Sequence, residues 1–193
     1  MMVARSNGQR LTATVLSIVG HPLVVMPLTV LISVRQSIFS TLIYAGITVV
    51  PLMFVIRRKV RAKEWTDHDV SDPRQRREFY WVLLVVIGGS IAVFSLFGFP
   101  RPLIVGTSVS FVTLALGMLI NRWSKISIHM IFCAYSATIL TRTAVAASLI
   151  TLCLLLALGW SRVVLGRHAI PQIVSGAGMG AIAGLVLLRL LGG

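Results

Sequence analysis

The sequence predicts an all-α, polytopic integral membrane bundle of six to seven transmembrane helices, folded as a single domain over residues 1–193. Three observations carry this expectation. Hydrophobic residues fill 56% of the 193 positions, and the mean hydropathy is +0.92. Apolar runs of about 17–24 residues recur along the chain, matching the roughly 20 that cross a bilayer. A lipid-facing backbone must satisfy its own hydrogen bonds, so runs of this length are read as helices.

Seven spans are expected. The first, 11–34, is longer than a signal-peptide core and runs directly into further spans, so it is read as retained. The second is 38–56, the third 79–97 and the fourth 103–120. Pro22, Pro27 and Pro51 fall inside spans, where neighbouring helices accommodate a kink, and receive no chemical role. His21, next to Pro22, is read as an interfacial or packed residue rather than a ligand. The fifth span, 127–140, is short and is expected to begin earlier, near Trp123. The sixth is 144–160 and the seventh 170–191. In the last, Gly176, Gly180 and Gly184 recur every fourth residue and form a smooth stripe for a closely approaching helix. Packing within the bundle is the favoured use of that stripe, and a homo-oligomer seam is the other. Cys133 and Cys153 both lie in apolar runs, which argues against a disulfide framework or a thiolate site. There is no internal repeat and no low-complexity linker.

Polar residues collect into three islands, 57–78, 121–129 and 160–172, each separated from the next by two spans. All three therefore emerge on one membrane face. Of the eighteen Lys and Arg residues, fourteen belong to that face and four (Arg35, Arg101, Arg142 and Arg189) to the other. The positive-inside rule then turns the islands toward the cytoplasm, and the expected location is the plasma membrane of a bacterium. The net charge of +13 is accounted for by topology and anionic head groups. Basic residues cluster at span ends, without the aromatic interleaving of a soluble nucleic-acid module, so no nucleic-acid partner is expected.

The third island holds Ser161, Arg162 and His168 between two long apolar stretches. A guanidinium and an imidazole at a membrane boundary are costly unless they bind something, and an anionic phosphate is the usual guest. Six residues apart, Arg162 and His168 converge only if the chain bends, and Gly166 supplies the place. Pro171 fits a first helical turn, which sets His168 just before a helix N-terminus suited to a phosphate. In the second island Lys125 precedes Ser127 and His129, a hydroxyl that can hold phosphate oxygens and an imidazole that can protonate a leaving alkoxide. The first island contains all five acids: Glu64, Asp67, Asp69, Asp72 and Glu78. They are expected to pair with and position Arg74, Arg76 and Arg77 rather than to hold a metal, because metal-dependent lipid chemistry needs further carboxylates than the chain supplies.

Taken together, the Arg-rich first island, Ser127-x-His129 and Ser161-Arg162-x5-His168 resemble the three motifs of the type 2 phosphatidic acid phosphatase superfamily, in matching order over residues 74–172. The resemblance implies metal-independent dephosphorylation of a lipid phosphate or diphosphate, with no cofactor. His168 would be the nucleophile and His129 the acid for the leaving group. Arg162, Ser161, Ser127 and Arg76 would bind phosphate, the last placed by its distance to Phe79-Tyr80. A polyprenyl-linked substrate falls within the family's range.

The departures are specific. Asp69 stands where the first motif has its lysine and Arg77 where it has proline, so Arg74 or Arg77 must supply the missing charge. The second motif reads Ile126-Ser127-Ile128-His129, without its proline and glycine. Gln172 occupies the position of the carboxylate that orients the nucleophile, and it can hydrogen-bond an imidazole without stabilising its positive charge. Two other readings of the same residues are a lipid phosphotransferase and a non-catalytic membrane protein that retains a lipid-phosphate pocket.

Overall fold

The structure, a computed structural model, describes residues 6–33, 38–67, 70 and 72–192. Arg5, Val34, Arg35 and Asp69, which entered the expectations above, lie outside the described residues. All the regular elements are helical: α1 (Asn7–Val19), α2 (Pro22–Ser33), α3 (Ile38–Tyr44), a π-helical turn (Ala45–Val49), α4 (Val50–Arg61), α5 (Pro73–Leu96), α6 (Arg101–Ile120), α7 (Ile128–Thr143), α8 (Val145–Val164) and α9 (Ile170–Gly192).

Among the described residues five stretches are long and apolar enough to cross a membrane: Thr41–Arg61, Arg74–Leu96, Arg101–Ile120, Val145–Val164 and Ile170–Gly192. The pair α1 and α2 passes the same test only when taken together, and it bends by 46° at Gly20–His21, a broken span or a re-entrant loop where one continuous span was expected. The break has a local cause. Pro22 withholds the amide a continuing helix needs, and Gly20 lets α8 approach, since a Cβ there would meet Leu158 Cδ1 at 2.8 Å. The outward faces are apolar, with Phe54, Val85, Ile150, Leu156, Val174 and Ile182 all exposed. That inside-out distribution is the signature of a membrane-embedded bundle.

The centre of the bundle is α7. Eleven of its sixteen residues are buried, and α9, α8 and α2 pack around it. At about 1.5 Å per residue it is about 24 Å long, short of a full span on its own. It starts at Ile128, not near Trp123: residues 121–124 turn and bend, and 125–127 have no regular structure before the helix, with Ser127 extended at the N-cap position (φ −90°, ψ 107°). The glycine stripe of α9 faces α7 directly. A Cβ on Gly176 would meet the Ser127 carbonyl at 2.8 Å, one on Gly180 would strike the Ile131 carbonyl, and one on Gly184 would meet Thr138 Cβ at 2.6 Å. The stripe is thus filled from within the chain.

Between α4 and α5, Trp65 and Val70 pack back against both helices. Trp65, 2% exposed, packs with Ile56 and Val70 and donates its indole N–H to Glu78 Oε2 at 2.9 Å. Asp72 caps α5 by accepting the Arg74 and Gln75 amides at 2.7 and 3.4 Å.

Candidate functional site

Arg162 lies in the last turn of α8, and the chain reverses immediately after it. Gly166 adopts φ +67°, and the amides of Arg167 and His168 both donate to the Arg162 carbonyl, at 2.9 and 3.3 Å. A Cβ on Gly166 would touch nothing, so the left-handed backbone and not lack of room is what asks for glycine. The reversal returns His168 toward Arg162, and both side chains line the same cavity. The bend expected from spacing is the bend the chain makes.

Gln172, two residues into α9, then fixes the His168 ring. Its Oε1 accepts the Ala169 amide at 3.2 Å and stands 3.2 Å from His168 Nδ1. An oxygen that already accepts can only accept again, so Nδ1 carries the ring proton and Nε2 keeps its lone pair. Burial, and then the charges of Lys125 and Arg162, lower the His168 pKa to about 3. The ring is neutral at physiological pH and presents an unprotonated Nε2.

Arg162 is 3% exposed, and its Nη1 donates to Ser17 Oγ on α1 at 2.7 Å. Ser161 was expected to bind phosphate; instead its hydroxyl is fully buried and donates to the Ala13 carbonyl at 2.6 Å. That pair of contacts pins α1 against α8 behind the arginine. From the first turn of α5 comes Arg76, 7% exposed, whose Nη1 donates to Asn121 Oδ1 at 3.4 Å. Lys125 donates to the Arg167 carbonyl at 2.6 Å, which ties the second island to the third. Burial, then the neighbouring Arg76, Arg162 and Arg167, lower the Lys125 pKa to about 8.

Other expected site residues are placed elsewhere. Ser127 is fully buried, its backbone against Gly176, and its hydroxyl has no hydrogen-bond partner among the described residues; its neighbours Lys125, Ile126, Ile128 and His129 form the cavity wall without it. Arg74 and Arg77 are exposed, and Arg77 borders a separate surface recess with Tyr80, Met118, Asn121 and Arg122. The acids also have partners beyond those three arginines. Asp67 pairs with Arg167 at 3.0 Å, Glu78 with Lys59 at 2.7 Å and Glu64 with Lys59 at 2.5 Å. Among the described residues no three His, Cys, Asp or Glu side chains gather as a metal site would require.

The cavity has a volume of about 290 Å³ and follows α7 over its length. Arg76, Lys125, His129, Arg162 and His168 line one end, Arg142 and Thr143 the other, with Leu52, Leu83, Leu114, Phe132 and Leu187 among the apolar walls between. His21 also lines the charged end, its ring centroid 4.9 Å from that of His129 and the two rings perpendicular. Sequence reasoning set His21 aside because a lone histidine beside proline carries no spacing signal; only the bend between α1 and α2 delivers it. No protein-family model, no curated protein and no solved structure matches the chain.

Proposed function

We propose that this protein is a membrane phosphatase that removes phosphate from a lipid phosphate monoester or diphosphate through a phosphohistidine intermediate. The observation that carries the reading is the convergence of Arg76, Lys125, Arg162, His129 and His168, from three islands far apart in sequence, at one end of an apolar cavity. The apolar walls suit a hydrocarbon tail, and a polyprenyl phosphate is one substrate class that carries such a tail. Burying the tail holds the head group beside the two imidazoles.

In this mechanism Nε2 of His168 attacks phosphorus while the bond from phosphorus to the lipid oxygen breaks, and His129 gives that oxygen its proton. Arg76, Lys125 and Arg162 balance the charge on the remaining phosphoryl oxygens. Water then attacks the phosphohistidine, His129 takes its proton, and inorganic phosphate leaves with Nε2 restored. Gln172 holds the ring by the Nδ1 proton throughout. The non-catalytic reading draws on the same residue, since an amide leaves the phosphorylated imidazolium without an opposing charge. A phosphotransferase would differ only in replacing water by an alcohol, which product analysis with and without acceptor lipids distinguishes.

Phosphate release over a panel of lipid phosphates and diphosphates tests the proposal. Purified protein should release phosphate, His168→Ala should release none while keeping its fold, and His129→Ala should be slower by roughly 10² to 10⁴. Undiminished turnover in His168→Ala sinks the nucleophile assignment.

A further inference from the structure

The recess between α5 and α6 is built by helical spacing. Arg77 and Tyr80 stand three apart near the start of α5, and Asn121 and Arg122 follow Met118 by three and four residues at the end of α6. Each set therefore shares one side of its helix, and the two sides meet. Arg77 comes from the first polar island, Asn121 and Arg122 from the second. None of the five residues lines the apolar cavity.

The lining is rich in donors and short of acceptors. Arg77 and Arg122 are exposed, neither has an ion pair among the described residues, and no carboxylate among those residues borders the recess. Asn121 is oriented by Arg76, whose Nη1 donates to its Oδ1 at 3.4 Å, so the amide turns its oxygen to Arg76 and keeps its two N–H donors for other partners. Tyr80 closes the recess from within. It is 0% exposed, and its hydroxyl has no hydrogen-bond partner among the described residues. An unsatisfied buried hydroxyl is costly, and two guanidinium groups around one hollow repel each other until an anion enters.

The level in the membrane follows from the neighbouring residues. Trp81 and Trp123, next in sequence to Tyr80 and Arg122, are 53% and 77% exposed, and exposed tryptophans gather at the head-group level of a bilayer. The acceptor abundant at that level is a phosphate oxygen, which guanidinium forks match in geometry.

We propose that the recess formed by Arg77, Tyr80, Asn121 and Arg122 is a binding site for a phosphate group, separate from the apolar cavity and its charged end. A lipid head group and free inorganic phosphate present the same oxygens, and the experiment tells them apart. Asn121 joins the two sites, because its amide oxygen meets Arg76 and its N–H donors serve the recess. One consequence rests on the phosphatase reading: a phosphate in the recess steadies Arg76 through Asn121 and so lowers KM for the lipid substrate.

Full-length protein in detergent micelles is titrated with phosphatidylglycerol and, separately, with inorganic phosphate, beside the double variant Arg77→Gln/Arg122→Gln. Both arginines are exposed, so the variant keeps its fold, checked by its unfolding temperature. Binding of at least one probe should weaken by about 25-fold, at about fivefold for each basic residue beside an anionic head group. The probe affected names the source, and a loss for both means that either source serves. Asn121→Asp sets a carboxylate among the donors and should weaken the same probe although both arginines remain. Arg57→Gln/Arg58→Gln removes equal charge from the exposed end of α4 and should bind as wild type does. Equal losses in the two double variants would reveal diffuse attraction to a basic face and overturn the site. Wild-type affinity for both probes in Arg77→Gln/Arg122→Gln, or in Asn121→Asp, overturns it as well.

Turnover supplies a separate readout. On the phosphatase reading KM for a lipid phosphate should be higher in Arg77→Gln/Arg122→Gln than in Arg57→Gln/Arg58→Gln, with kcat held. An equal KM in an active enzyme overturns the link through Asn121. A protein that binds a probe through the recess but hydrolyses no lipid phosphate upholds the site and overturns the phosphatase reading instead.

Discussion

Gln172 grips the proton of His168 without being able to share its charge, and this sets the first expectation at the scale of single residues. Once Nε2 is phosphorylated the ring is a cation, and exchanging an acid for an amide beside a catalytic imidazole costs on the order of 10⁴ in a serine protease triad. Gln172→Asp should therefore raise the rate of phosphate release. An unchanged rate would mean that an acid of the first island already serves His168, although Asp67 is engaged one residue away, on Arg167. Lys125 sets the second expectation, and its sign follows from its lowered pKa of about 8. Below that pH the ammonium is present to meet a phosphate; above it the charge is lost. The ratio kcat/KM, which reports the free enzyme, should fall as pH rises through about 8. Lys125→Arg should abolish that limb, because a guanidinium stays charged. A flat wild-type profile from about pH 7 to about pH 9.5 would remove Lys125 from phosphate binding.

Among the elements, α7 and α9 make the closest approach in the molecule's interior, and Gly180 is its tightest point. Gly180→Ala places a methyl group against the Ile131 carbonyl, which is backbone and cannot swing aside, so the helices must separate. A loss of about 1–3 kcal/mol is expected, read as a lower unfolding temperature in detergent. Gly178→Ala, one position outside the stripe with open space around it, should be neutral or slightly stabilising. This seam was legible in the sequence because small residues every fourth position have few other uses in an apolar helix. So were the all-helical bundle, the turn at Gly166, the start of α9 after His168 and the Arg162–His168 pair, since each follows from local spacing. What escaped is what depends on distant partners. The start of α7 slipped from Trp123 to Ile128 because hydropathy does not register the extended stretch before Ser127. The break at Gly20–His21 needed Leu158, and the roles of Ser17, Ser161 and His21 needed α1 folded against α8 and α2 against α7. The ion pairs of Asp67 with Arg167 and of Glu78 with Lys59 escaped for the same reason, as those partners come from other segments.

For the molecule as a whole, the shared face of the three islands is the claim most open to direct test. Single cysteines at Lys63 and Ser124, both exposed, in a background lacking Cys133 and Cys153, should resist an impermeant thiol reagent in intact cells and react after permeabilisation. Labelling of both in intact cells would reverse the orientation, and labelling of one alone would break the shared face. The hydrogen bonds that seat the arginine of that face, Arg162 to Ser17 and Ser161 to Ala13, join residues 145 and 148 positions apart. Contacts of such long range cannot form while the chain is still being made. When α1 leaves the ribosome its partner helix has not been translated, and Ser17 and His21 wait beside a gap through the synthesis of every helix from α2 to α7. The cationic pocket is consequently absent from each truncated or stalled product, however well its early helices have inserted. Only a chain read through to its last helices brings Arg162 and His168 to the end of the cavity that Arg76, Lys125 and His129 line, so on the phosphatase reading a half-made protein has no assembled site.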